Sequence, residues 1–200
     1  MRICFDIDGV LSNFEKNVIQ VANARWLGRM PQDYIPTDWD YSDVFSKEDW
    51  KQVWSDIKMI PDFWLRQPTI PDGVEALSEF RKNNKSKIWF LTSRMNTGGV
   101  SARYQTQLWL MKHGLINLTN EDVNRVIAVD SPEQKEQYIR EFGIDVSIDD
   151  LAQTVERHNK IPGHTAYLLR CPWNTFCTDQ PIVDSVAQFL EKIQENVITY

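Results

Sequence analysis

With 200 residues, 42% of them hydrophobic, and a formal net charge of −6, the chain can build one sizeable core, or a core plus a small inserted subdomain. The acidic balance argues against long nucleic acid as a partner, yet leaves room for a small phosphorylated substrate met by a few local cations and a metal. Three cysteines (Cys4, Cys171, Cys177) without CxxC spacing give neither a disulfide framework nor a zinc site, no apolar run approaches a membrane span, and the charges within residues 1–20 predict no signal peptide; a soluble, cytoplasmic protein is expected.

Ile3–Phe5 is a short apolar run that predicts a buried strand, with Asp6 and Asp8 at its end. One residue apart on an extended backbone, the two carboxylates point to one side while Ile7 faces the core. Gly9 allows a tight turn beyond them. Close carboxylates repel unless a cation or a shared proton compensates, and Mg²⁺, which prefers oxygen ligands, would satisfy both.

Phe14, Val18, Val21, Ala22 and Trp26 recur at helical spacing, with Gly28 as a stop. The Pro- and Asp-rich stretch that follows reads as an irregular connection. Ser46 and Asp49 resemble a cap for a helix carrying Trp50, Val53, Trp54 and Ile57, ended by Pro61. Five of the eight tryptophans (Trp26, Trp39, Trp50, Trp54, Trp64) fall within residues 15–69, which show no convincing strand. This predicts a helical mini-core as the role of most of these rings, a ligand-lining role for one or two being the less favoured alternative.

From Pro71 helices and strands alternate. Val74, Leu77 and Phe80 mark a helix to about Asn84, and Lys87–Leu91 a strand ending at Thr92-Ser93-Arg94. Val100, Tyr104, Leu108 and Met111 are expected to line a helix closed near Gly114. Arg125–Val129 is a third strand; Ser131, Pro132 and Gln134 then predict a capping box opening a helix that stops at Gly143. Asp145–Ile148 and Ala166–Leu169 are a fourth and a fifth strand, and a terminal helix is expected to start at Pro181. His113, His158 and His164 have no metal-like spacing, and Arg157 with Lys160 reads as a solvated charged turn. The alternation predicts an α/β fold with a parallel sheet covered on both faces.

In such a sheet the polar strand ends, Asp6/Asp8, Thr92/Ser93/Arg94 and Asp149/Asp150, open onto one edge, joined by Lys135 in the first turn of a helix. Phosphoryl transfer is chemistry they could assemble: an attacking carboxylate, with Mg²⁺ and donors offsetting charge on the transferring oxygens.

Asp6-Ile7-Asp8-Gly9-Val10 resembles motif I of the haloacid dehalogenase-type phosphatase superfamily, Thr92 its motif II, Lys135 its motif III and Asp149-Asp150 its motif IV, in the family's order over the whole chain. FDIDGVLSNF, Ile148-Asp149-Asp150 and Pro172-Trp173-Asn174 look most like the 5′(3′)-deoxyribonucleotidases. The resemblance implies a Rossmann-like core (1–14 and 70–200) with a small helical C1-type cap (15–69) inserted after the first strand. It implies Asp6 as nucleophile and Asp8 as acid and base. Thr92 and Lys135 would bind the phosphoryl group, with Ser93 and Arg94 adding contacts. Mg²⁺ would be held by Asp6, the Asp8 carbonyl and Asp149 or Asp150. The substrate would be a small phosphorylated molecule, foremost a deoxyribonucleoside monophosphate, in a protein without membrane contact; a homodimer is left open. A sugar phosphate, a polynucleotide 3′-phosphate and a non-catalytic phosphate-binding module are the competing expectations. A dehalogenase fits poorly because Asp8 is present, and a receiver domain because its acidic and Thr/Lys positions occur in a different order.

Overall fold

The computed structural model describes residues 1–31, 33–117 and 119–198, without the side chains of 196–198. Strands β1 (Arg2–Phe5), β2 (Lys87–Ser93), β3 (Val126–Val129), β4 (Val146–Asp149), β5 (Thr165–Leu169) and β6 (Ile182–Val183) form one sheet in the order β3-β2-β1-β4-β5-β6, with every pairing parallel. The period-2 alternation of β1 decides its two faces. Ile3, Phe5 and Ile7 enter the larger core with Leu77 and Phe80 of α3 (Pro71–Asn83) and Phe189 and Leu190 of α8 (Val186–Ile198). Cys4 enters the opposite layer, with Ile139 of α6 (Pro132–Phe142). The register pairs Phe5 with both Phe90 and Ile148, so β1, β2 and β4 end side by side. The chain moves outward from β1 in one direction through β2 and β3, then returns to the other side at β4. Strand ends that flank such a switch form a crevice.

Between β1 and α3 lie α1 (Phe14–Arg25), α2 (Lys47–Met59) and a 3-10 turn at Trp64–Arg66, with no strand among the described residues. Asn13 caps α1 by accepting the Lys16 N–H (3.1 Å), and Ser46 caps α2 by accepting that of Asp49 (3.1 Å). Their apolar side chains gather in a second cluster, including Phe14, Val18, Tyr41, Phe45, Val53 and Trp64, which Ala102 from the rest of the chain joins. The two ends of this stretch are tied together: the Asn13 N–H donates to Pro68 O (2.8 Å) and the Ile70 N–H to Leu11 O (2.8 Å).

Four readings of the sequence need correction. First, Pro181 does not start the terminal helix. Ile182–Val183 pairs with Leu168 and Leu169 as an edge strand, where a preceding proline is tolerated, and α8 begins at Val186. Two residues are too few to show a strand period. Second, α4 (Ala102–Lys112) buries Gln105, Thr106, Trp109 and Leu110, while Val100 and Tyr104 of the apolar stripe are exposed. The polar face is satisfied: Gln105 accepts the Trp64 N–H (3.0 Å) and donates to Val100 O (2.7 Å). Third, Gln134 accepts the Asp130 N–H (2.9 Å), and Ser131 makes no side-chain cap. Fourth, Arg157 lies in a helix, α7 (Ala152–His158); a short helix, α5 (Asn120–Asn124), was likewise not legible.

Candidate active site

The sheet face that carries Cys4 also carries Asp6, and Asp149 follows Ser147, the partner of Cys4 in register, at the end of β4. Lys135 projects from the first turn of α6, the helix covering that face. Its Nζ lies 3.0 Å from Asp6 Oδ1 and donates to Asp149 Oδ2 at 2.8 Å. Asp149 Oδ1 accepts the Leu151 N–H (2.9 Å), so both its oxygens are engaged. Asp150 stands differently: it is fully buried, and neither carboxylate oxygen has a hydrogen-bond partner. It lies against Gly9 (φ +74°), where a Cβ would come within 2.3 Å of Asp150 Oδ2. That approach needs both the positive φ and the missing side chain of glycine.

One oxygen from each of Asp6, Asp149 and Asp150 lies within 4.8 Å of the others. Burial, then repulsion from Asp149 and Asp6, lifts the Asp150 carboxyl well above its ordinary range. Burial pushes Asp6 up to about 7, although Lys135 pulls against it. For Lys135 burial opposes the charge, but Asp149 and Asp6 outweigh it and keep the ammonium protonated. An all-oxygen donor set with one wholly unpartnered carboxylate fits a hard divalent cation such as Mg²⁺.

Asp8 is not one of this trio and has partners of its own. Burial alone would raise its carboxyl, but the Arg94 guanidinium, with Ser12 and Thr92, holds it below the usual carboxylate range. Arg94 donates from Nε to Asp8 Oδ2 and from Nη2 to Asp8 Oδ1, both at 2.8 Å, in the bidentate fork that suits guanidinium and carboxylate. Ser12 Oγ donates to Asp8 Oδ1 (2.7 Å) and Thr92 Oγ1 to Asp8 Oδ2 (3.2 Å). The remaining Arg94 nitrogen reaches Thr106 Oγ1 (2.9 Å), and its guanidinium lies 4.8 Å from the Trp64 ring centroid. Arg94 therefore faces Asp8; it is absent from the cavity wall.

That wall combines Asp6, Asp8, Thr92, Ser93 and Lys135 with Phe14, Trp39, Trp54, Trp64 and Leu151. Ser93 Oγ is buried without a partner, a hydroxyl available to a ligand. Phe14 is the hub of the aromatic side, with ring centroids 6.0 Å from Trp39, 5.6 Å from Trp54 and 6.0 Å from Trp64. The eight residues singled out in the sequence thus converge on one place. Ser12 and Thr106, which hold Asp8 and Arg94, were missed. Thr106 had a usable signal, a polar residue between Gln105 and Gln107 on a helix whose exposed stripe is apolar.

In fold the chain is similar to haloacid dehalogenase-like hydrolases. The one from Burkholderia xenovorans LB400 superposes with TM-score 0.60 at 12% identity, covering 98% of this chain and 97% of that one. A family member from Streptococcus pneumoniae gives 0.60 at 10% identity, covering 96% and 98%. L-2-haloacid dehalogenase from Xanthobacter autotrophicus gives 0.58 at 13% identity, covering 97% and 98%. At such identities the likeness concerns the fold alone. No curated protein sequence matches the chain significantly. The family model described as "5' nucleotidase, deoxy (Pyrimidine), cytosolic type C protein" matches residues 1–196, and the chain belongs to that family. It is a nucleotidase-like phosphatase with a haloacid dehalogenase-like fold.

Proposed function

We propose that the protein is a Mg²⁺-dependent phosphomonoesterase that dephosphorylates a deoxyribonucleoside monophosphate through an aspartyl-phosphate on Asp6. The observation that carries this reading is Asp150, a buried carboxylate with no partner, set beside Asp6 and Asp149 and within the reach of one cation. Asp6, Asp150 and Asp149 would hold Mg²⁺, joined by the Asp8 backbone carbonyl. Asp150 is the better direct ligand, because Lys135 and the Leu151 N–H already engage Asp149. When bound, the cation supplies charge neutralisation between the nucleophile and the phosphoryl oxygens.

Asp6 attacks phosphorus, and Lys135 offsets the negative charge that brings nucleophile and phosphate together. The Ser93 and Thr92 hydroxyls donate to phosphoryl oxygens, Thr92 turning from Asp8 to do so. Asp8 is held as a carboxylate by Arg94, which suits it to take a proton from the water that cleaves the aspartyl-phosphate. Protonating the leaving oxygen in the first half-reaction then requires the Arg94 fork to loosen. Residues 15–69 act as the cap over a core of 1–14 and 70–200, a division supported by the second cluster in which most of their apolar side chains gather. No described helix is long and apolar enough to cross a membrane; three free thiols and the family's cytosolic description support a cytoplasmic location.

The test is phosphate release from a panel of nucleoside monophosphates with Mg²⁺ or EDTA, for wild type and Asp6→Asn. Turnover of deoxynucleotides that needs Mg²⁺ and vanishes in the variant is the expected result. Equal turnover in EDTA, or in Asp6→Asn, would overturn it.

A further inference from the structure

A groove of about 590 Å³ lies between α1, the last turn of α2 and the turn at Trp64–Arg66, and none of its wall residues belongs to the catalytic cavity. Its size falls within the roughly 300–1,000 Å³ of small-molecule sites. Val21, Ala24, Ile60 and Phe63 supply the apolar part of the wall. The charged part is Arg25, Asp56 and Arg66. Arg25 forks onto Asp56, with Nη2 donating to Oδ1 at 2.6 Å and Nε to Oδ2, so that pair is neutral. The Arg66 guanidinium has neither an ion pair nor a hydrogen bond among the described residues. The groove therefore carries one uncompensated positive charge.

Asn17 is the second observation. It is only 7% exposed, yet its side-chain amide has no hydrogen-bond partner among the described residues, and it lines the groove. Buried amides are nearly always paired, so this one has donors and an acceptor to spare. So recessed a group is reached by a small head group rather than by a flat protein surface. Asn17 lies one turn after Phe14, and Arg66 one turn after Phe63, and those two rings meet at 6.3 Å. The free amide and the free guanidinium thus belong to one end of the groove. Arg25, eight residues beyond Asn17 on α1, stands about 12 Å away at the other.

We propose that this groove is a second ligand site, for a small amphipathic acid with a single negative charge. Its carboxylate takes the Arg66 fork and an N–H of the Asn17 amide, and its apolar body lies along Val21, Ala24 and Ile60. One free cation matches a carboxylate better than the dianion of a phosphate monoester. Phe63 also meets Trp64 edge-on at 4.9 Å, and Trp64 and Phe14 wall the catalytic cavity, so a single layer of rings separates the two sites. The inference does not depend on the phosphomonoesterase reading, and its test reads binding.

The test is calorimetric titration of the whole chain with octanoate, octanamide and octylammonium, each with and without saturating Mg²⁺ and inorganic phosphate. Octanoate is expected to bind with a Kd below about 1 mM, octanamide at least about fivefold more weakly, and octylammonium not at all. Arg66→Glu should weaken octanoate at least about tenfold and Asn17→Leu about three- to tenfold. Ala24 is exposed on the groove wall, so Ala24→Trp fills the groove from outside the core and should abolish binding while circular dichroism stays unchanged. No octanoate binding, equal affinity for octanoate and octylammonium, or variants that bind as wild type does would overturn the proposal. So would a Kd raised by Mg²⁺ and phosphate, which would move the acid into the catalytic cavity. A dimer that Ala24→Trp dissociates in sedimentation would give the groove to a second copy of the chain and overturn it as well.

Discussion

The floor of the cavity and the aromatic wall opposite it are held by different means. On the floor the charged side chains are set one by one: Arg94 grips Asp8, Lys135 joins Asp6 to Asp149, and Asp150 has no hydrogen bond. These contacts are directional and short, so position is fixed to a fraction of an ångström. The aromatic wall is built from ring contacts of 5.6–6.0 Å around Phe14, each worth about 0.5–1.5 kcal/mol beyond burial and tolerant of orientation. On the proposed function, chemistry is located by the rigid side and substrate choice is left to the adaptable one.

Removing the proposed nucleophile should show the contrast most sharply. Asp6→Asn is expected to lower kcat at least about 10³-fold while the protein stays folded, as phosphate release and circular dichroism would show together. Next comes the Arg94 fork. Arg94→Ala leaves Asp8 buried and unpaired and should cost about 3–5 kcal/mol in urea unfolding, whereas Arg94→Lys keeps the charge, loses the fork and should fall between. A smaller effect is expected from pH and metal. Asp6 and Asp150 carry carboxyls raised by burial, so the folded state retains protons the unfolded state has lost; stability should fall as pH rises from about 4 to about 7. Asp8 works in the opposite sense, but its contribution is complete above about 4 and does not enter this window. Mg²⁺ should accordingly raise the Tm more at about pH 7.5 than at about pH 5, and a Tm insensitive to Mg²⁺ at both would count against the trio as a cation site. The smallest effect belongs to the aromatic wall: Phe14→Leu should cost about 1–2 kcal/mol and change KM more than kcat.

The floor was legible in the sequence because it obeys short-range rules. Two acids spaced by one residue after an apolar run, and a lysine one turn into a helix behind a proline, fix both residue type and strand end. What escaped detection depends on partners remote in the chain. Arg94 follows Thr92-Ser93 and reads as one more phosphate donor, yet its fork closes directly on a carboxylate 86 residues earlier, while Ser12 and Thr106 accept from the same guanidinium. The same cause hid the inward face of α4, where buried Gln105 accepts the Trp64 N–H and donates to Val100 O. Strand β6 was lost for another reason: at two residues it has no pattern of its own, and only its pairing with β5 defines it.

One feature of the stretch between β1 and α3 bears on how such a molecule can be rebuilt. The chain leaves the sheet at Asn13 and returns at Pro68 through a pair of backbone hydrogen bonds of 2.8 Å. Departure and return share one doorway, so on the proposed division the segment beyond it could be exchanged without breaking strand pairing, provided the replacement restores what Trp64 supplies to Arg94 and Gln105. A single scaffold could thus acquire new substrate preferences by exchange of parts that keep that contact.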